Sequence, residues 1–396
     1  MRILKVVQSY HPFQEKGGTA VKVHALARGL AHRGHSVTVL TADLGLTRRH
    51  ADKLAIERCP WGWRTSEDGV EAVYLPSLAR YRSLTLNPHV MRFCRTRLSD
   101  FDLVHFYGLY DLLGPAVSFA CRQKGLPYVI EPMGMYRAID RSFRLKGVWH
   151  RTMGRPFWQN SAKIIATSEM EQEELLEDGV PQAKLIVRYN GIENEAQTVS
   201  TGFRARWSIL PDEPLVIFLG RLIPRKGADT LIDAFVWACP DSGKLVIAGP
   251  EGEPGYRAYL EKRARECSAG SRIIFTGPLY NAEKKALLAA ADLFVLPSRY
   301  ENFANAAAES IACGIPVIVT NSCGIRSLVQ DQAGLVIEPD RTALAKAIRD
   351  LIRDRALYSR FQEGCRRVAQ QLNWSRLTEQ MEGHYASAME TANGTR

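Results

Sequence analysis

Nowhere in its 396 residues does the chain hold an apolar run long enough to cross a bilayer, and it has no C-x-x-C pair, low-complexity tract or fixed-period repeat. The first absence argues against a helical membrane span, and the last against a solenoid. The opening stretch, MRILKVVQSYHP, turns polar at Gln8, Ser9 and His11, too early for a secretory signal. A chain that stays in the compartment where it is made, the cytoplasm, is therefore expected. The cysteines stand singly at 59, 94, 121, 239, 267, 313, 323 and 365. Such scatter argues against a zinc site or a disulfide framework and fits a reducing compartment. Acidic residues are also in deficit, with 42 Asp and Glu against 52 Lys and Arg, a formal net charge of +10.

That charge is concentrated. Residues 72–165 hold 14 Lys and Arg against 5 Asp and Glu. A basic patch suits nucleic acid, an anionic membrane surface or an anionic substrate, and a solvated surface would carry it equally well. With 46% apolar and 24% charged residues the composition is that of a soluble globular protein. Its length suits two domains rather than one core.

The periodicity repeats one theme twice. Apolar runs at 3–7, 36–41, 70–74, 103–106, 128–130 and 163–166 read as buried strands. A helix over 19–32, with Val21, Ala25 and Leu30 facing inward, follows the first of them. After a polar stretch at 190–214 the pattern restarts, with strands at 215–219, 244–248, 272–276, 293–296, 316–320 and 335–337 and a helix over 229–238. Apolar strands separated by helices predict parallel sheets covered on both faces. The fold class is thus α/β, with two Rossmann-like doubly wound domains facing a cleft. The boundaries predicted are 1–195 and 196–373, with a last helix from 374 packing back on the first domain.

Four groups of residues carry chemistry. In SRYENFANAAAESIACGIPVIVT, Glu301 leaves a strand and Glu309 lies on the helix that follows. The backbone N–H groups at that helix start can hold an anion, and Glu309 can accept hydrogen bonds from vicinal hydroxyls such as those of a ribose. A surface crossover would also tolerate both carboxylates. GRLIPRKG, directly after strand 215–219, sets Arg221 and Lys226 where ligands bind in doubly wound sheets. A planar guanidinium and a compact ammonium together can neutralise a diphosphate, and a plain basic turn would read the same way. Gly17 and Gly18 precede the first helix, but the loop from Ser9 is too long for a G-x-G-x-x-G dinucleotide turn. His105 and Tyr107 sit at a strand end and point to one side. Such a histidine is as readily structural as catalytic.

Taken in order, these motifs resemble the large retaining glycosyltransferase family 4 of the GT-B fold, in its bacterial cell-surface polysaccharide type. The resemblance runs from the Gly-Gly loop through His105, S-E-M-E at 168–171, Asn190-Gly191 and G-R-x-x-x-x-K-G to E-x7-E followed by G-I-P-V. It implies that Arg221 and Lys226 grip the diphosphate of a nucleotide-sugar donor. Glu309 would bind the ribose and Glu301 the sugar's hydroxyls. Main-chain amides at Phe303, Ala304 and Asn305 would contact sugar and phosphate, and Leu279, within 277–280, would lie near the base. Gly17 and Gly18 would close over the phosphate. The family retains anomeric configuration and generally needs no bound metal or other cofactor. Many members carry H-x-H where this chain has His105 and Tyr107, which leaves open which of the two stands at the reacting centre. Ala304 replaces a usual Gly, which implies tighter donor contacts, and Met133 a frequent His, which implies a distinct acceptor pocket.

On the acceptor side, residues 137–158 read RAIDRSFRLKGVWHRTMGRPFW. Arg137, Arg141, Arg144, Lys146, Arg151 and Arg155 interleave with Phe143, Trp149, Met153, Phe157 and Trp158, and Trp149, Met153 and Phe157 share a helical face. Arg80, Arg82, Arg92, Arg95 and Arg97 extend the patch. The pattern suits an anionic membrane surface, here the inner face of the plasma membrane, and a saccharide or lipid-linked acceptor; an aromatic face turned into the core is the other reading. No nucleic-acid-binding motif is present. Another GT-B enzyme, such as a nucleotide-sugar epimerase or a phosphorylase, and a non-enzymatic carbohydrate or nucleotide binder are the competing readings.

Overall fold

The computed structural model describes residues 1–12, 18–44, 46, 55–81, 84–136, 147–193, 202–239, 241–267 and 270–394. Gly17, Arg82, Arg137, Arg141, Phe143, Arg144 and Lys146 lie outside them. The chain forms two compact units. The first joins Met1–Gly191 to Trp374–Arg396, and the second is Ile192–Asn373.

Unit 1 is built on a nine-stranded sheet of β1 (Arg2–Val7), β2 (Ser36–Ala42), β3 (Glu57–Cys59), β4 (Gly62–Glu67), β5 (Val70–Leu75), β8 (Leu103–Tyr107), β9 (Tyr128–Glu131), β10 (Lys163–Ala166) and β11 (Leu185–Val187). A separate hairpin pairs β6 (Ala79–Tyr81) with β7 (Leu84–Leu86). The strand order is β11-β10-β9-β8-β1-β2-β5-β4-β3, so the winding reverses between β1 and β8. β3 and β4 run antiparallel at one edge, an addition that the alternating pattern did not announce. Their sequence, ERCPWGWRTSE, is largely polar and exposed, and such short edge strands lack the apolar signal of buried ones.

Helices α1 (Gly18–His32), α2 (Val90–Arg97), α3 (Leu113–Lys124), α4 (Arg155–Gln159) and α5 (Glu169–Glu177) belong to this unit. Phe93 of α2, Val117 of α3 and Phe157 of α4 share one core with Leu4, Leu40 and Phe106 of the sheet. On the other face Leu26 of α1 meets Met381 and Tyr385 of the C-terminal helix (Trp374–Gly394). The two helices approach so closely that a Cβ at Gly29 would stand 2.6 Å from Thr378 Oγ1.

Two expectations about helix faces are corrected. Val21 is exposed and Ala25 half-buried, while Ala20, Lys22, Val23, Leu26, Ala27 and Leu30 are buried. The buried face is turned because Lys22 goes inside to meet Glu131. Trp149, Met153 and Phe157 do not share a face either. His150–Gly154 is wound as a π-helix, which changes the angular phase between residues four apart. Phe157 is core, Met153 is exposed, and Trp149 donates its Nε1–H to the Leu109 carbonyl at 3.0 Å.

Unit 2 holds an all-parallel sheet of β12 (Leu215–Leu219), β13 (Lys244–Ala248), β14 (Ile273–Gly277), β15 (Leu293–Leu296), β16 (Val317–Thr320) and β17 (Gly334–Ile337). Its order, β14-β13-β12-β15-β16-β17, reverses between β12 and β15. α6 (Gly202–Arg206), α7 (Ala228–Ala238), α8 (Tyr256–Glu266), α9 (Asn281–Ala290), α10 (Asn305–Ala312), α11 (Arg326–Val329), α12 (Arg341–Arg353) and α13 (Arg355–Gln371) complete it, and α14 is the C-terminal helix already described. Phe218, Phe235 and Phe294 are fully buried, each worth roughly 1.5–3 kcal/mol of apolar burial. Both sheets thus have the doubly wound form in which ligands settle beyond the strand carboxyl ends at the reversal.

Candidate active site

At the reversal in unit 2, four loops are stitched together. The 220–227 loop after β12 docks on the loop after β13 through Leu222 N–H to Pro250 O (2.9 Å) and Gly252 N–H to Leu222 O (3.1 Å). On its other side, Arg299 N–H donates to Arg225 O at 2.9 Å. Gly227 has φ 72°, and a Cβ there would stand 2.3 Å from the Pro297 carbonyl oxygen, so only glycine permits this approach. The loop after β15 is bound in turn to the loop after β16, with Glu301 N–H to Ser322 O at 2.9 Å and Gly324 N–H to Glu301 O at 2.8 Å.

This frame carries the predicted residues. Lys226 closes a 3₁₀ turn, Pro224–Lys226, and forms an ion pair with Glu301; their side chains are 13% and 21% exposed. Arg221 is exposed at the start of the same loop, whereas Arg225 is turned inward, its guanidinium carbon 5.8 Å from the Tyr300 ring centre. Phe303 is buried beneath the turn. Ala304 takes the left-handed conformation, φ 76° and ψ 63°, and gives α10 no side-chain cap, so the first amides of α10 start from a strained corner. Asn305 is the first residue of α10 and is exposed. Glu309, one turn further, accepts from Lys284 of α9 at 2.5 Å. Leu279 is half-buried and lines a cavity of about 310 Å³ with Phe203, Trp207, Thr276 and Glu283. Beside the carboxylate, Cys323 is buried and its thiol is pushed up to about 11, which keeps it protonated and non-nucleophilic. Chemically, the cluster offers two cations and a helix start for an anion, and two carboxylates for hydroxyl groups.

In unit 1 the structure places His105 and Tyr107 at the end of β8, inside the domain. Both are sealed from solvent. Their rings stack with centroids 4.1 Å apart. His105 Nδ1 is hydrogen-bonded to the hydroxyls of Tyr385 (2.7 Å) and Tyr107 (3.0 Å), and Lys5 Nζ donates to Tyr107 at 2.6 Å. Burial, reinforced by Lys5, Arg188 and Lys22, holds the His105 imidazole well below the usual range and therefore neutral. Gly18 opens α1 and is exposed, and Thr19 Oγ1 reaches Met133 Sδ at 3.7 Å. Sequence reasoning missed Lys284 and the buried Lys22–Glu131–Arg188 group; only pairing in three dimensions reveals them. Among the described residues, no three His, Cys, Asp or Glu side chains are grouped to hold a metal ion.

The two doubly wound α/β units define the GT-B class of fold. A family model described as "Glycosyl transferases group 1" matches residues 200–368, and one described as "Glycosyl transferase 4-like domain" matches residues 17–191. The chain belongs to this glycosyltransferase family, of the family 4 type. It is 25% identical over 401 residues to a D-inositol 3-phosphate glycosyltransferase of Xylanimonas cellulosilytica, covering 94% of this chain and 92% of that protein. It is 27% identical over 399 residues to a GDP-mannose-dependent alpha-mannosyltransferase of Mycobacterium tuberculosis, covering 97% and 96%. The crystal structure of Anabaena HepE in complex with UDP and glucose superposes with a TM-score of 0.76 at 20% identity, covering 98% of this chain and 100% of that one; at this identity the likeness is one of fold.

Proposed function

We propose that the chain transfers a sugar from a nucleoside-diphosphate donor, with retention of configuration and without a bound metal or other cofactor, to a saccharide or lipid-linked acceptor in glycolipid or surface-polysaccharide synthesis. The observation that carries the donor half is the stitched loop frame at the reversal of the unit 2 sheet, which holds Arg221, Lys226, Glu301 and the start of α10 in one place. As the sugar–phosphate bond breaks, negative charge grows on the diphosphate; Arg221, Lys226 and the α10 amides stabilise it where it develops. The sugar becomes oxocarbenium-like, and the departing phosphate takes the acceptor proton on the same face. Glu301 binds the sugar's hydroxyls, Glu309 the ribose, and 277–280 lies beside the base.

The nucleotide-sugar donor is supported by a relative named as GDP-mannose-dependent, and a lipid-linked acceptor by one named for mannosyl transfer to a phosphatidylinositol dimannoside. Docking on the anionic inner face of the membrane is supported by the surface of unit 1. α2, α3 and the 147–159 helix carry Arg92, Arg95, Arg97, Arg122, Lys124, Arg151 and Arg155 and no Asp or Glu. Phe119 and Met153 are exposed among them, and Leu78, Tyr81 and Leu86 are exposed on or beside the β6–β7 hairpin. No described helix is long and apolar enough to cross a membrane. A thermal-shift screen against UDP-, GDP- and ADP-sugars, followed by turnover and by NMR of the product anomer, tests the proposal. Absence of any nucleotide-dependent shift and of any transfer contradicts it, and an inverted anomer contradicts retention.

A further inference from the structure

A second cluster of charge lies inside unit 1, and the donor chemistry makes no use of it. Glu131, the last residue of β9, has no exposed surface; it forms an ion pair with Lys22 and accepts from Arg188 Nη2 at 2.7 Å. Lys22, in the first turns of α1, also donates to the side chain of Asn190, next to the last residue of the first long segment of the unit. Arg188 is fully buried as well. Directly after Glu131 the backbone makes an unusual turn, with Met133 at φ 55° and Gly134 at φ 73°. A second buried carboxylate, Glu171, holds that turn from the other side by accepting from Gly134 N–H at 2.5 Å and Thr167 N–H at 2.7 Å. The glycine-loop end of α1 touches the same turn, through Thr19 and Met133.

Burying charges in this way is seldom a net source of stability, because desolvation offsets the attraction, and apolar residues of like volume often do as well. What a buried ionic cluster does supply is one fixed geometry. The elements that it ties are the start of α1, the end of β9 and 188–190, and the first two present the backbone at the carboxyl edge of β1 and β9.

We propose that Glu131 is a positioning residue for acceptor binding: its carboxylate, held between Lys22 and Arg188, sets the α1 start and the Met133–Gly134 turn against each other and so shapes the acceptor pocket of unit 1. This inference rests on the glycosyl-transfer reading above. It assigns no group to the reacting atoms, since Glu131 touches no solvent.

The test uses the full chain with Glu131→Gln, Lys22→Met and Lys22→Arg. Lys22→Met leaves the Glu131–Arg188 pair whole, so it decides the matter if Glu131→Gln does not fold. Three quantities are read: donor hydrolysis with water as acceptor, kcat and KM for the octyl glycoside (glucoside, galactoside or mannoside) that the wild type elongates fastest, and hydrogen exchange over 18–23 and 132–136. The expected result for Glu131→Gln and Lys22→Met is donor hydrolysis within threefold of wild type, acceptor kcat/KM at least tenfold lower with most of the loss in KM, and exchange faster in both segments together. Lys22→Arg recovers part of the loss. Unchanged acceptor KM in a folded variant, or unchanged exchange at 132–136, overturns the proposal, because a merely structural cluster would shift the unfolding temperature alone. A wild-type chain that neither binds nor hydrolyses any sugar nucleotide contradicts the transferase reading itself, a separate outcome.

Discussion

Lys226, at the end of the turn after β12, is ion-paired with Glu301, in the turn after β15. The two turns flank the reversal of the unit 2 sheet, so the pair spans the position where a doubly wound sheet binds its ligand. Each charge satisfies the other here; in the donor complex proposed above, the ammonium turns to a phosphate and the carboxylate to sugar hydroxyls. The Lys284–Glu309 pair repeats this logic one turn into α10.

Glu309 supplies the first prediction. A carboxylate that accepts from ribose hydroxyls contributes about 1.5–3 kcal/mol through charged hydrogen bonds. Wild type therefore favours a ribonucleotide donor over its 2′,3′-dideoxy analogue by about tenfold or more in kcat/KM, and Glu309→Ala erases the preference. A variant that keeps the preference removes Glu309 from the ribose.

Ala304 supplies the second. Its φ of 76° costs an L-residue roughly 1–2 kcal/mol, and glycine carries no such cost but loses more chain entropy. Ala304→Gly is expected to leave stability within about 1 kcal/mol of wild type and to keep activity. Ala304→Val, β-branched in the same conformation, is expected to lose about 2 kcal/mol or more. Urea unfolding checks both, and a stable, active Val variant contradicts the strained corner.

The buried histidine gives a pH dependence. Burial lowers the folded-state value of His105, and His24 and His384 move the same way. The unfolded chain then binds more protons below its histidine value of about 6.5, so this contribution to stability is complete above that pH and is lost as the pH falls. Each such group costs at most about 1.4 kcal/mol per pH unit. Unfolding at pH 7.5 and 5.5 checks the slope, and His105→Asn is expected to flatten it. An NMR titration showing a charged His105 near pH 6 contradicts the sealed, neutral imidazole.

The acid-free helices give the fourth prediction. Flotation with vesicles containing anionic lipid is expected at low salt and is expected to weaken as salt rises. The triple variant Arg92→Glu, Arg95→Glu, Arg122→Glu is expected to abolish it while donor hydrolysis persists. Binding of wild type that is indifferent to lipid charge contradicts docking by this face.

Buried parallel strands were legible because their signal is local and apolar: 163–166, 215–219, 244–248 and 293–296 match the observed strands residue for residue. The loops bearing Arg221, Lys226 and Glu301 were placed by the same rule, since they follow such strands. Polar strands near the sheet edge such as β4 carry no comparable pattern. Nor does any single segment announce that Lys22 turns inward, because its reason is Glu131, 109 residues away. His105 shows the same limit: its strand-end position is legible, but its hydrogen bond to Tyr385, 280 residues later, is not. Sequence spacing shows what a segment does alone and is silent on which distant side chain will meet it.

Calorimetric titration with nucleoside diphosphates bears most directly on the donor cradle. Wild type, Arg221→Ala and Lys226→Ala are each titrated with the nucleoside diphosphate of the best donor and with the corresponding nucleoside. Both variants are expected to bind the diphosphate at least tenfold more weakly, to bind the nucleoside as wild type does, and to lose turnover by roughly a hundredfold. Diphosphate affinity and turnover close to wild type in folded variants would contradict the cradle and, with it, the assignment of the donor site to unit 2.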